Sequence, residues 1–399
     1  MSIEPRTLKG FRDFLPEDSR KRQYVIEILR KVFESYGFEP LETPSLEYAD
    51  ILKGKYGEEE KLMYELTTKG GDKAALRYDQ TVPLARVIAQ FPEIPKPFKR
   101  FQIQSVFRGE NTQKGRYREF VQCDADVIGS TSPLADAEIL ALVLDIYKEL
   151  GLDIVIKIND RANFENLDKK YVAAIDKLEK IGESAVLSEM IEKGMDEKDA
   201  KEALASLQNK FLTDHLRKIL DVLKSMGKDI SKISYEPTLA RGLDYYTGMI
   251  FETIAEGSTG SLCSGGRYDN LIGTFGTEQV PAVGFGLGFD RTIEILEEKN
   301  LLPDLSSTAK ILVTIFNETT AKESQELAQF LREKNIKTDL YLDSDAKLEK
   351  QLKYADRKQI PFVAILGPQE IKDKKVNLKN LKNGSQITIS QEELVNALA

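Results

Sequence analysis

The 399-residue sequence predicts an α+β protein: a domain built on antiparallel strands, interrupted by a helical module and followed by a smaller α/β unit. Three observations predict this. Residues 99–128 read as strand, polar loop and strand: FQIQSVF alternates, RGENTQKGR is polar with two glycines, and EFVQCDADVIG alternates again. From 166 to 232 glycine is sparse, proline is absent, and Lys, Glu, Leu and Ala dominate, which is the texture of helices. Beyond LPDLSS at 302–307, the strand-like runs ILVTIF, TDLYLD and FVAILG alternate with helices over 320–334 and 345–358. Such alternation predicts a partly parallel sheet with helices packed on it.

The other elements follow in order. Val25, Ile28, Leu29, Val32, Phe33 and Tyr36 fall at helical spacing within 18–36, and Gly37 is a stop. Pro40 and Pro44 keep 38–50 extended. KAALRYDQTVP reads as a strand that ends at Pro83, with a helix running on from there. Residues 134–150 read as a helix and IVIKIND as a strand. Strand character resumes at LARGLDYYTGMIFETI, followed by the glycine-rich pair SGGRYDNLIG and VGFGLGFDRTIEIL. The length calls for two or three domains. The expected boundaries are a sheet domain over 1–165 and 233–300, a helical insertion over 166–232, a linker over 301–307 and a final domain over 308–399.

Composition bounds the function. Hydrophobic residues are 41% and charged residues 31%, as in a soluble globular chain. No run approaches the ~18 apolar residues of a membrane span. The N-terminus is charged and lacks an apolar core, so no secretory signal is expected and the cytoplasm is the expected compartment. Cys123 and Cys263 make no disulfide framework, and no CxxC or HxxxH spacing exists, so no structural zinc is expected. The single histidine, His215, reads as a packing or surface residue and excludes mechanisms that need a histidine base elsewhere. The net charge is −8, so nucleic-acid binding would have to rest on local basic patches such as 372–384 and 113–118.

In a strand every second side chain shares a face. Phe120, Gln122, Asp124 and Asp126 therefore point one way, while Val121, Cys123, Ala125 and Val127 form an apolar opposite face. Arg108 ends the preceding strand. The polar face is either an ordinary solvated sheet surface or a ligand face. Gly284, Gly286 and Gly288 alternate on another strand, which leaves that face bare for a flat ligand or marks a tight bend or close helix approach. No Rossmann or Walker pattern is present.

Two of these units resemble the class II aminoacyl-tRNA synthetases. VFRGE at 106–110, returning through Phe120, resembles motif 2 of that class, and GFGLGFDR at 284–291 resembles motif 3, with Asp290 where Glu is usual. Residues 30–47, with Pro44, are similar to motif 1, which in the class helps form the dimer interface. RGLDYYTGMIFE at 241–252 and SGGRYDNL at 264–271 resemble the two signatures of the histidyl-tRNA synthetases. LRYDQTVPLAR at 76–86 and KGRYREFVQCD at 114–124 agree, although the family often has LRPEGT where this chain has LRYDQT. The resemblance covers essentially the whole chain.

That resemblance implies a class II catalytic domain on an antiparallel sheet with a helical insertion, followed by an anticodon-binding domain. It implies ATP-dependent ligation of L-histidine to tRNA(His) through a histidyl-adenylate, releasing AMP and pyrophosphate. Arg108 would hold the α-phosphate, Arg291 the γ-phosphate, and Arg241 would be the further catalytic cation at the α-phosphate. Phe120 would stack on adenine, with Glu110, Gly286 and Gly288 completing the ATP site. Asp79 and Thr81 suit the histidine ammonium, and Gln122 and Arg241 its backbone end. Asp126, Tyr246 and Tyr268 suit the imidazole, with Tyr245 either joining them or packing in the sheet. Mg²⁺ is expected with ATP, zinc is not, and the partners implied are tRNA(His) and a second copy of the chain, with no membrane. The loop Gly109–Arg116 is the expected reader of the tRNA acceptor end. The alternative is a non-catalytic paralogue acting as a histidine-sensing regulatory subunit.

Overall fold

The computed structural model describes residues 3–55, 57–112, 115–240, 245–258, 260–276 and 278–398. The chain divides into two compact units, one of Met1–Asp13 and Arg22–Leu301 and one of Phe14–Lys21 and Leu302–Ala399. Helix α1 (Pro16–Ser35) buries Val25, Leu29, Val32 and Phe33, the stripe that its spacing predicts. Strand β1 (Glu39–Pro40) leads to β2 (Leu46–Tyr48), the short helix α2 (Ala49–Leu52), β3 (Glu65–Thr67) and β4 (Lys73–Leu76). Helix α3 (Thr81–Gln90) begins two residues before Pro83, earlier than the proline suggested. The missing N–H of proline costs nothing in a first turn, where backbone donors have no intrahelical partner.

The main sheet is built around β5 (Phe98–Phe107) and β6 (Glu119–Ile128), the predicted strand–loop–strand unit. Then come α4 (Pro133–Glu149), β7 (Val155–Asp160), and helices α5 (Lys169–Ile175), α6 (Leu178–Ile181), α7 (Glu183–Glu192), α8 (Glu197–Gln208) and α9 (Asp214–Ser225). Strands β8 (Ile233–Tyr235), β9 (Met249–Ile254), β10 (Cys263–Arg267) and β11 (Ala282–Gly288) and helix α10 (Phe289–Glu298) complete the unit. Strand structure in LARGLDYYTGMIFETI starts only at Met249, and residues 241–244 lie outside the described residues.

Among the described residues, eight strands form one sheet in the order β1-β5-β6-β11-β10-β9-β7-β8. The pairs from β5 to β7 are antiparallel, whereas the edge pairs β1–β5 and β7–β8 are parallel. One face is apolar: Phe101, Cys123, Ala125, Phe285 and Leu287 are buried there. Phe33 of α1 stacks on Phe101 at 5.0 Å, and α4 and α10 pack on β6 and β11. The other face carries the polar side chains described below. Strands β2, β4 and β3 make a small separate sheet. Val172, Ile175, Val186, Met190, Ala200, Leu204 and Leu207 give α5, α7 and α8 a core of their own, while α9 packs on α4.

The second unit holds β12 (Ile311–Val313), α11 (Ala321–Glu333), β13 (Thr338–Leu340), α12 (Leu348–Arg357), β14 (Phe362–Ile365), α13 (Pro368–Lys372), β15 (Lys375–Asn380), β16 (Gln386–Ser390) and α14 (Gln391–Leu398). Its sheet order is β13-β12-β14-β15-β16, parallel across the first three strands and antiparallel after them. Ile311, Val313, Leu327, Leu331, Val376 and Leu394 fill the core between the sheet and α11 and α14.

A carboxylate ties the first unit together. Asp290, in the first turn of α10, is 7% exposed. Its Oδ1 accepts from Arg12 at 2.8 Å and Arg22 at 2.5 Å, and its Oδ2 accepts from the Val121 backbone of β6 at 3.2 Å. Removing one member of a buried charged cluster leaves the others unsatisfied. Asp290→Ala is therefore expected to destabilise the fold by about 3–5 kcal/mol. Denaturant titration checks this, and a loss below about 1 kcal/mol, the worth of an exposed pair, would show that the clamp is merely a surface feature.

Candidate active site

The register of the sheet builds the polar face row by row. Arg100, Asp126, Gly284 and Gly266 lie opposite one another across β5, β6, β11 and β10. Gln102, Asp124, Gly286 and Ser264 form the next row, and Gln104, Gln122 and Gly288 the third. Alternation in β6 thus brings Gln122, Asp124 and Asp126 onto one surface, as the sequence predicts.

The glycines of β11 serve a purpose that the sequence did not reveal. A Cβ on Gly284 would collide with the Asp126 carboxylate and come within 2.6 Å of the Ala125 carbonyl. A Cβ on Gly286 would lie 3.0 Å from the Gln122 amide and 3.1 Å from Asp124 Oδ1. Side chains of β6 therefore lean across β11 and fill the space above it. Gly266 of β10 makes similar room for the Tyr246 ring, 2.9 Å from where its Cβ would stand.

The carboxylates of this site are almost wholly buried: Asp124 is 1% and Asp126 2% exposed, and Asp79, just before α3, is 3% exposed. Arg100, fully buried, lies 2.7 Å from Asp126 Oδ2 and donates to Gln102 at 3.2 Å. Tyr268 donates its hydroxyl proton to Asp126 Oδ1. Gln122 Nε2 donates to both Asp124 oxygens, at 2.8 and 3.0 Å. Desolvation pushes the Asp124 carboxyl up to about 7, against the pull of Arg100 and with a further push from Asp126. Desolvation also raises Asp126, opposed by Arg100 and by the Tyr268 hydrogen bond.

Three tyrosines wall the same site. Tyr245 lies 5.0 Å from Tyr246 and 5.7 Å from Tyr268, edge to face. Tyr245 packs against a core of Leu84, Ala85 and Ile88 of α3, Ile128 of β6, Ala282 of β11 and the segment 268–272, and its hydroxyl hydrogen-bonds Thr81. Asp79 Oδ1 accepts from the Val82 backbone at the start of α3. Asp79, Thr81, Gln122, Asp126, Tyr245, Tyr246 and Tyr268 are thus gathered around one site.

The residues expected at ATP are placed as follows. Arg108, just beyond β5, donates to the Tyr78 carbonyl at 3.1 Å and to Gln122 Oε1 at 3.4 Å. Its guanidinium lies 4.5 Å from the Tyr78 ring centre and 5.2 Å from that of Phe120. Glu110 pairs with Arg116 at 3.3 Å. Arg291, on α10, donates to the Ser261 carbonyl at 3.1 Å and lies beside Gly260 and Gly115. Gly288 pairs opposite Gln122, and its N–H donates to Leu262. Arg241 lies outside the described residues.

Sequence reasoning missed Arg100, Gln102 and Gln104, and noted Asp124 without giving it a role. The signal was present, since FKRFQIQ alternates with period two from Arg100 on and places Arg100, Gln102 and Gln104 on one face. Gln102 and Gln104 join a network with Thr43 and Arg77: Gln102 donates to Thr43 at 2.9 Å and Arg77 to Gln104 at 2.7 Å. His215 is half-buried beside Asp136, its Nε2 3.8 Å from Oδ1, and that carboxylate raises its pKa. Arg267, next to Tyr268, grips Asp136 with two donors at 3.0 and 2.5 Å. Cys123 and Cys263 are buried free thiols whose pKa values burial pushes up, which keeps them protonated and unreactive.

Comparison with known proteins adds the following. A family model described as Histidyl-tRNA synthetase matches residues 10–292, and one described as Anticodon binding domain matches 310–399. The chain is 39% identical to a histidine–tRNA ligase of Cytophaga hutchinsonii, with 99% of each chain covered. It superposes on the crystal structure of a histidyl-tRNA synthetase from Nostoc sp. PCC 7120 with a TM-score of 0.87 and 30% identity, covering 100% of this chain and 99% of that one. A Bacillus halodurans structure titled ATP phosphoribosyltransferase regulatory subunit/histidyl-tRNA synthetase shares the fold, with a TM-score of 0.75 and 22% identity over 89% of this chain and 97% of that one.

The Asp124 carboxyl predicts a pH dependence. It keeps its proton to about 7 in the folded chain but loses it near the ordinary 3.8 when unfolded. The folded state therefore binds more protons between those values, so stability falls as pH rises from about 4 to 7. Asp124→Asn, which cannot ionise, is expected to flatten this slope by up to about 1.4 kcal/mol per pH unit. Denaturation midpoints across that pH range check it, and an unchanged slope would place the proton elsewhere.

Proposed function

The chain belongs to the histidyl-tRNA synthetase family, and from that membership we infer that it joins L-histidine to tRNA(His) at the expense of ATP. The histidine carboxylate attacks the α-phosphorus, forming an acyl–phosphate bond as pyrophosphate leaves. A terminal ribose hydroxyl of the tRNA then attacks the acyl carbon, and AMP departs. The observation that carries this reading is the polar sheet face. Gln122 and Asp126 of β6, with Asp79 and the three tyrosines from the segments around the strands, are gathered beside Arg108 within the family-matched region. A pocket built to hydrogen-bond a polar side chain discriminates strongly against analogues that lack it.

In this reading the chain supplies position and charge, with no protein nucleophile. Asp79 and Thr81 hold the ammonium, Gln122 the backbone end, and Asp126, Tyr246 and Tyr268 the ring. Arg108, Arg241 and Arg291 take the phosphates, where fixed guanidinium groups match concentrated negative charge, and Phe120 takes adenine. Mg²⁺ is expected with ATP and would neutralise phosphate charge when bound. The domain at 308–399 takes the anticodon arm in the same proposal. The regulatory-subunit alternative is not favoured, because the relative carrying that title shares only the fold at 22% identity.

The cytoplasm belongs to this reading as the place where tRNA is charged; among the described residues no helix is long and apolar enough to cross a membrane.

Pyrophosphate exchange into ATP across the twenty amino acids tests the reading, with histidine alone expected to drive it. Exchange driven by a different amino acid would overturn it. Arg108→Ala is expected to lower turnover in adenylate formation by about 10²–10³, the usual effect of removing a preorganised donor. A near-normal rate would remove Arg108 from the phosphate site.

A homodimer is part of the same proposal. Leu46 and Tyr48 project from one side of β2, 44% and 61% exposed, while Glu47 between them is buried. Exposed apolar residues at alternate positions suit a two-fold interface, and an obligate one buries about 2,000 Å² or more. Light scattering at micromolar concentration is expected to give about twice the 45.0 kDa chain mass, and a monomer would reject the interface.

A further inference from the structure

We propose that Arg267 is a positioning residue for the bound amino acid, because its grip on α4 and on the exit of β6 sets where Tyr268 stands against Asp126. This rests on the reading of Tyr268 and Asp126 as partners of the histidine ring. Strands β10 and β6 are not neighbours, since β11 lies between them. Two cross-links nevertheless join them, one on each face of β11. On the polar face the Tyr268 hydroxyl, from just beyond β10, donates to Asp126 of β6. On the apolar face Arg267, the last residue of β10, reaches α4 and the segment that leaves β6.

Arg267 is 5% exposed and Asp136 is fully buried. A guanidinium carries five N–H donors in a fixed fork. Here Nε and Nη2 take the two Asp136 oxygens at 3.0 and 2.5 Å. Nη1 donates to the Ser130 carbonyl at 2.8 Å and to Asp269 at 3.2 Å. Nη2 also donates to the Ser132 carbonyl at 3.5 Å. These bonds engage all the donors within the chain, so the side chain holds protein and offers nothing to a ligand. Ser130 and Ser132 follow β6, and Asp269 follows Tyr268, so one group fixes the exits of both strands.

Tyr268 lies between two held residues, Arg267 and Asp269, and its own N–H donates to the Ala282 carbonyl of β11 at 2.7 Å. Its hydroxyl is thereby delivered to one place. Asp126 has a separate anchor in Arg100, at 2.7 Å. Loosening Arg267 therefore shifts the tyrosine against a carboxylate that keeps its own support, and hydrogen bonds weaken steeply with misalignment. The Arg267 carbonyl also accepts from the Thr247 N–H at 2.8 Å, beside Tyr246. That bond belongs to the backbone, and a change of side chain does not remove it. Tyr268 is thus the route by which the guanidinium acts. Lysine is no substitute, because a single ammonium cannot reproduce a fork that spans both Asp136 oxygens and the two serine carbonyls.

Pyrophosphate exchange by the full-length protein tests this, with histidine and ATP varied separately. Arg267→Lys is expected to raise KM for histidine by about tenfold, the scale of a weakened hydrogen bond to a charged group, and to leave KM for ATP nearly unchanged. Asp136→Asn keeps an acceptor and loses the charge. It is expected to act in the same direction, and it carries the test where the lysine variant does not fold. Tyr268→Phe is expected to raise the same KM, and adding Arg267→Lys to it to raise it little further, because residues that act through one another are not additive. Folded variants with an unchanged histidine KM and only a lower melting temperature would overturn the proposal. Equal rises for histidine and ATP would do so too, as would full additivity with Tyr268→Phe. An absence of histidine-driven exchange in the unaltered protein would instead overturn the parent reading, and this proposal with it.

Discussion

The site depends on β6 and β11 pairing in a register that sets glycines opposite carboxylates. A charged carboxylate loses several kcal/mol on leaving water unless partners replace the lost hydration. Here the partners are Arg100 from the strand on one side and Tyr268 from beyond the strand on the other. They can converge on Asp126 only because Gly284 leaves room for its carboxylate, as Gly266 leaves room for the Tyr246 ring. A side chain at either glycine would fill the gap with protein. The absence of side chains on one strand is thus what lets the polar side chains of its neighbour be buried and still be satisfied.

Asp290 gives the end of the polar face near Phe120 and Arg291 a comparable coherence. It sits one residue before Arg291 and bonds the backbone of Val121, one residue after Phe120. The segment that would hold the base and the helix that would hold a phosphate are therefore fastened to one another through a single carboxylate. Arg12 and Arg22 complete the fastening from the N-terminal part of the chain. The aspartate at this position reaches the backbone and both guanidinium groups directly.

Much of this was legible from period and spacing. The two-residue alternation in β6 identified the polar face and its apolar reverse, and the helical stripe of α1 buries the residues that its spacing selects. What sequence could not supply was register. FKRFQIQ shows that Arg100 shares a face with Gln102 and Gln104, but not that it stands opposite Asp126 rather than Asp124. That depends on the length and path of the loop between the strands. The glycines illustrate a second limit: a sequence shows where a side chain is missing, but not which neighbour moves into the space. Asp290 illustrates a third, since its arginine partners lie more than 260 residues away and no local pattern links them. Pro83 was read as a boundary because proline ends helices from within, yet at the third residue of α3 its missing donor is harmless.

His215 bears on how the protein is made. It is the only histidine in 399 residues, and its place beside Asp136 is supported by Arg267, which holds both oxygens of that carboxylate. Among the described residues, buried polar contacts elsewhere are made by side chains such as arginine, glutamine, asparagine, threonine, tyrosine and aspartate. Building one copy therefore draws on a single molecule of the charged tRNA that the chain is inferred to produce. When that product is scarce, ribosomes translating this message wait at one codon. The supply of the enzyme is thereby partly insulated from the shortage that it relieves.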